Sequence, residues 1–221
     1  MEKVDFDDYA EDYDKILENQ LGNFGDIAYY SEYKVDIFSK LVHLNNGTLM
    51  EFGCGMGRNI PYFTSAYPDS KIIGYDISES SLELAKKANP GIEFTAQLDQ
   101  YEDAFDAVFI SNVYHHIHPD LREEATANLY KALKPGGKVI IFEHNPYNPV
   151  TRHMVNTCEF DEDAILLKKG ETRRLFESAG FKQSKGAYTL FFPSALKSLS
   201  FIEPAISWIP MGAQYYILFS K

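Results

Sequence analysis

The 221 residues include only two cysteines, Cys54 and Cys158, and a single tryptophan. Two thiols cannot build a disulfide framework, and these two lack the spacing of metal-binding pairs. A reduced, cytoplasmic protein is therefore expected. No uncharged apolar run reaches the roughly 18 residues that a membrane span needs. No secretory leader is expected either, because the first residues, MEKVDFDDYAEDYDKI, are acidic rather than basic and then apolar. Positive charge is scarce: 21 Lys and Arg stand against 32 Asp and Glu, for a net charge of −11. A duplex or tRNA binder needs a basic footprint, and no local Lys/Arg cluster supplies one, so nucleic acid is not the expected partner. Low-complexity tracts and solenoid-period repeats are missing as well. What is present is an ordinary apolar fraction of 45% with 14% aromatics, enough for one well-buried α/β core with decorations.

Periodicity divides the chain. Residues 5–20 form an acidic, Tyr-rich stretch with Phe6, Tyr9, Tyr13, Ile16 and Leu17 at helical spacing. A second helix is predicted over residues 27–42, stopped by Asn45-Asn46-Gly47. Strands then alternate with helices. Strands are expected at TLMEF (48–52), KIIGYDI (71–77), IEFTA (92–96), AFDAVFISN (104–112) and KVIIFEH (138–144). The intervening helices are expected near 58–66, after the Ser78 cap, and over 120–133. The fourth strand is a nearly continuous apolar run, as strands inside a parallel sheet are. Residues 145–169 read as irregular, 171–179 as a helix, and 185–192 and 214–220 as two last strands around an apolar insertion at 194–210. Such repeats predict an α/β fold with a doubly wound, mostly parallel sheet, closed by an antiparallel hairpin.

The strongest local signal is EFGCGMG, Glu51 to Gly57. It follows a strand and opens a helix, the setting in which a Gly-rich turn lets backbone approach a ligand. A dinucleotide fingerprint would read G-x-G-x-x-G. Here the glycines run G-x-G-x-G, Arg58 takes the sixth place, and an acid stands two residues before the first glycine. Glu51 lies inside an apolar strand, where an unpaired carboxylate is costly and a ligand ammonium would satisfy it. Asp76, nineteen residues after Gly57, ends the second strand, where a carboxylate can accept both hydroxyls of a ribose. It could instead cap the next helix, but Ser78 is better placed for that.

With FDAVFISNVYHHI and LKPGGKVIIFE following in order, residues 47–145 resemble the class I S-adenosylmethionine (SAM) dependent methyltransferases. That resemblance implies a seven-stranded sheet in the order 3-2-1-4-5-7-6, with strand 7 antiparallel and helices on both faces. It also implies SAM as cofactor. By position, Glu51 would face the methionine amino group, and Gly53, Cys54 and Gly55 would line the methionine and ribose path. Asp76 would hold the ribose, Ile77 would pack on adenine, and Asn112 would contact the methionine moiety. After the third strand, where the family often has an acid, FTAQLDQ offers Gln97, Leu98 and Asp99. In similar enzymes an N-terminal helical segment, here 1–45, folds over the cofactor as a lid and would bring Tyr13 to it.

For the acceptor, His115 and His144 are the candidate catalytic residues. Both follow strands at the C-terminal edge, where open α/β sheets bind ligands, and imidazole titrates near neutrality. His116 reads as packing. The expected reaction is in-line methyl transfer to a small-molecule, sugar or lipid-linked acceptor by a monomer or homodimer with no metal. The 194–210 insertion is core, a dimer contact or the wall of an acceptor pocket. Two other classes remain: an NAD(P)-dependent oxidoreductase, disfavoured by the glycine spacing, and a non-catalytic SAM-binding fold that serves as a binding module.

Overall fold

A computed structural model describes residues 26–221. The expected Tyr-rich helix at 5–20, and Tyr13 with it, lie outside the described residues. Helix α1 (Ile27–Leu41) starts at Asp26, whose side chain accepts from Ala28 N. There follow β1 (Thr48–Phe52), α2 (Ile60–Ala66), β2 (Lys71–Tyr75), α3 (Glu79–Ala88), β3 (Glu93–Thr95) and β4 (Phe105–Ser111). The chain continues through α4 (Pro119–Ala132), β5 (Leu133–His144), α5 (Pro149–Asn156), α6 (Lys169–Ser178), β6 (Lys182–Thr189), α7 (Glu203–Ile206) and β7 (Gln214–Ser220). As expected, Ser78 caps α3, its hydroxyl accepting from Ser81 N at 3.1 Å.

The seven strands form one sheet in the order 3-2-1-4-5-7-6. Pairings among β1 to β5 are parallel, and β7 runs antiparallel to both neighbours. Alternation along β5 shows why both faces are covered. Val139 and Ile141 pack with α4 and α6 through Leu129 and Phe176, while Ile140 and Phe142 share a cluster with Phe38 of α1 and Phe63 of α2. Continuous apolar strands are the consequence of two buried faces. Among the described residues no helix is long and apolar enough to cross a membrane.

Three boundaries differ from expectation. Residues 145–169 are not irregular throughout. Asn148 caps α5 by accepting from Val150 N and Thr151 N, with Pro149 in the first turn, and a 3-10 turn follows at Glu159–Asp161. Strand β5 reaches back through the Pro-Gly-Gly turn to Leu133, with an irregular register opposite Phe105 and Ala107. Strand β6 starts three residues early and stops at Thr189, because Leu190 adopts φ +57° and breaks the ladder. The 194–210 insertion folds as a 3-10 segment (Ser194–Ile202) and α7. It is pinned by Glu203, whose buried carboxylate accepts from Leu190 N and Phe191 N at 3.1 Å each and from the Tyr33 hydroxyl of α1.

Candidate active site

The C-terminal ends of β1, β2, β4 and β5 open onto one cavity of about 1120 Å³. Pockets for single drug-sized ligands are roughly 300–1,000 Å³, so this one has room for a cofactor and a small acceptor together. Glu51, Gly53, Cys54, Gly55, Asp76, Ile77, Gln97, Leu98, Asn112, His115 and His144 all line it.

At one end the Gly-rich turn is built by the sheet. Gly53 N and Cys54 N both donate to Tyr75 O, at 2.7 and 2.9 Å, which folds the chain sharply after β1. Gly53 has φ +74°, and a Cβ there would stand 2.3 Å from Val113 Cγ2. Gly55 has φ +49°, but a Cβ there would meet nothing within 4 Å, because that side of the turn faces the cavity. Asp76 is tied to this turn: Oδ2 accepts from Gly55 N at 2.7 Å and Oδ1 from Ser78 N at 3.0 Å. It thus both shapes the turn and braces the start of α3. Ile77 beside it is 64% exposed, a large apolar side chain left open on the cavity wall.

Glu51 is buried on the face of β1 that looks towards α1 and α2. Its Oε1 accepts from Asn59 Nδ2 at 2.6 Å, and Oε2 has no partner among the described residues. Burial drives its pKa up to about 8, against the hydrogen bond from Asn59. Lys34 of α1, also buried, donates to Ser111 Oγ at 2.7 Å, and burial lowers its pKa to about 8 against the charges of Glu143 and Glu51. A buried amine and a buried carboxyl therefore face one space without a direct salt bridge between them. Free methionine-type zwitterions carry the two complementary charges.

The other end is a histidine cluster. His115 Nδ1 lies 2.6 Å from Glu143 Oε2, and Glu143 Oε1 also accepts from Val113 N and Tyr114 N. The rings of His116 and His144 pack on His115 at centroid distances of 4.1 and 5.0 Å. Burial opposes charge on His115, but Glu143 and Asp161 outweigh it and hold the imidazole up to about 9. Burial and the neighbouring His115 charge lower His144 to about 4. Asn112 takes φ +57° at the end of β4, and its Oδ1 accepts from Gln214 Nε2 at 3.1 Å.

Sequence reasoning missed Lys34, Glu143 and Asp161. Glu143 had a usable signal, since it is a carboxylate in an apolar strand just as Glu51 is. Lys34 and Asp161 had none, because their partners lie 77 and about 45 positions away, as with Lys34 and Ser111. The insertion contributes no residue to the cavity wall. Instead, Leu190, Phe191, Phe192 and Pro193, the stretch braced by Glu203, line it.

The sheet order and a Gly-rich turn joined to an acid after β2 define the class I SAM-dependent methyltransferase fold. A methyltransferase-domain family matches residues 50–139. An indole glucosinolate O-methyltransferase of Arabidopsis thaliana is 27% identical over 143 residues, 61% of this chain and 38% of that protein. A thiocyanate methyltransferase of Brassica oleracea is 31% identical over 110 residues, 46% of each chain. The match thus spans less than half the length of both relatives. A SAM-dependent methyltransferase structure from Thermotoga maritima superposes with a TM-score of 0.70 at 21% identity, covering 98% of this chain and 97% of that one, a likeness of fold. The methyltransferase-domain match over residues 50–139 and the sheet order together support a class I SAM-dependent methyltransferase. The family's cofactor fits these residues: an unsatisfied buried carboxylate oxygen, a glycine cradle open to the cavity and an exposed apolar wall are all present.

Proposed function

We propose that this protein transfers the methyl group of SAM to a small-molecule acceptor held in the same cavity. What carries the assignment is Glu51, a buried carboxylate with one oxygen unpaired among the described residues. Such a group is costly unless a ligand cation satisfies it. Glu51 would take the methionine ammonium and Lys34 the methionine carboxylate. The backbone of Gly53, Cys54 and Gly55 would line the path from methionine to ribose, with Asn112 contacting the methionine moiety. Asp76 would accept from the ribose hydroxyls, Ile77 and Leu98 would flank adenine, and Gln97 would meet its amine. SAM when bound supplies an already activated methyl group, so the protein's task is to fix distance and angle and to exclude water.

At the acceptor end His144 is the proton acceptor for a hydroxyl or thiol. Its ring lines the cavity, and no hydrogen bond engages it among the described residues. His115, with Nδ1 held by Glu143, turns Nε2 to the same space. Val150, Met154, Leu190, Phe191 and Phe192 make this end largely apolar, which suits a flat or lipophilic acceptor, including a lipid-linked one. The names of two relatives, an indole glucosinolate O-methyltransferase and a thiocyanate methyltransferase, support a small-molecule acceptor. Of the segment expected as a lid, α1 is the described part, and its Ile27, Tyr30, Ser31 and Lys34 line the cavity. A mass screen of cell extract incubated with the protein and methyl-labelled SAM tests the activity. A labelled small product is expected, and label appearing only in protein or nucleic acid would overturn the acceptor class.

A further inference from the structure

The histidine cluster contains a third element that methyl transfer as described above does not use. Asp161 comes from the 3-10 turn after α5, and its loop is tied to the end of β4 by Ile165 N donating to His115 O at 2.8 Å. Its Oδ1 lies 3.7 Å from His115 Nε2 and 3.4 Å from His116 Nε2. Both separations are longer than N–H···O hydrogen bonds of about 2.7–3.2 Å. They are close to the spacing of two ligands on one tetrahedral ion, roughly 3.4 Å when metal–ligand bonds are about 2.0–2.1 Å. One ligand atom from each of His115, His116 and Asp161 falls within 4.8 Å of the others.

The supporting shell is also in place. Glu143 accepts from two backbone N–H groups and is acceptor-only when ionised, so His115 Nδ1 carries the proton it shares with Glu143. That fixes the ring with Nε2 directed away from Glu143, where a bound ion would take the place of the Nε2 proton. A carboxylate behind a ligating histidine is the usual second support of a metal site. His115 and Asp161 are buried, and all three residues line the cavity.

We propose that His115, His116 and Asp161 bind a divalent transition metal ion, with Glu143 orienting His115 and the open position facing the acceptor end of the cavity. Two histidines and one carboxylate form the open type of site, three protein ligands with room for a further one. An oxygen, nitrogen or sulfur of the acceptor reaching that position would be held and polarised. The ion therefore favours acceptors with a heteroatom donor. Metal binding itself does not depend on the SAM reading, and the two are tested separately.

Chelator-stripped protein titrated with Zn²⁺ should bind one ion. His116→Gln and Asp161→Asn should each weaken that binding at least tenfold, while SAM affinity, measured on the same samples, stays within about twofold of the wild type. Wild-type protein loaded with Co²⁺ should show a visible d–d band without thiolate charge transfer, an observation that requires no variant to fold. No stoichiometric Zn²⁺ binding, equal binding by both variants, or a thiolate band implicating Cys54 or Cys158 would each overturn the proposal. Loss of SAM binding by the wild type would strike the cofactor reading instead.

Discussion

The cofactor end of the cavity is drawn mainly from short stretches of chain, residues 51–59, 75–78 and 97–98, with Lys34 of α1, whereas the acceptor end gathers the end of β4, the end of β5, α5, the 159–161 turn and residues 190–193. The first end is a product of adjacent parallel strands. Once β1 and β2 pair with Glu51 opposite Gly74, the Gly-rich turn and Asp76 meet without help from the rest of the chain. The second end exists only after folding. Its groups are held by long-range devices such as Glu143 on the 113–114 backbone and the His115 ring, and Glu203 on residues 190–191. Binding of a shared cofactor can thus be encoded locally, while acceptor choice is spread over segments that vary independently.

Substitutions at the two ends should separate affinity from turnover. The largest effect is expected at the acceptor end. His144→Gln should lower kcat about 100-fold or more, the range for losing a general base, with SAM affinity unchanged. Steady-state kinetics on the product found by the mass screen provides the check, and an unchanged kcat would remove His144 from the chemistry. Next comes Asp76→Ala, which takes away the ribose acceptor and the brace on Gly55 N. Charge-assisted hydrogen bonds contribute about 1.5–3 kcal/mol, so SAM affinity should fall roughly 10- to 150-fold in calorimetry.

Glu51→Gln should have a smaller, two-sided effect. Losing the charge should weaken SAM binding about tenfold, the cost of one charge-assisted contact. The free protein should melt higher, because a desolvated, half-satisfied carboxyl is removed. The sign follows from the raised pKa: folding favours the protonated form, so the stability cost of Glu51 grows as pH rises from 4.5 and is complete above about 8. Around it stand Asn59, Asp76, Lys34 and Arg58. An incoming ammonium lowers the Glu51 pKa, so SAM binding near pH 7 should release protons, and this group should make affinity rise towards pH 8. Calorimetry in buffers of different ionisation enthalpy reads that release. The smallest effect is expected from Ile77→Ala, which loses apolar cover worth about 1–2 kcal/mol and should weaken SAM binding several-fold without altering kcat.

The same contrast explains what the sequence made legible. The strand–helix alternation, the Gly-rich turn, Glu51 and the Ser78 cap follow from patterns within about ten residues, each with a physical reason: a turn that needs glycine, an acid inside an apolar strand, a serine cap. The strand order and the places of Ile77, Gln97, Leu98 and Asn112 come instead from the family resemblance. Helix α5 was hidden because Asn148-Pro149 reads as a loop signal as readily as a cap. The C-terminal end of β6 was misplaced because Leu190 turns into the left-handed region, where a branched side chain is not expected. Asp161 sits in an acidic run, EFDED, in which no feature distinguishes the residue that meets His115 and His116 from its acidic neighbours.

The central claim is that the cavity at the ends of β1 and β2 holds SAM. Titration of the wild-type protein with SAM and, in parallel, with NAD tests it most directly. One-to-one binding of SAM, lost or strongly weakened in Asp76→Ala, with no binding of NAD, is the predicted result. Tight binding of NAD with none of SAM would contradict the account.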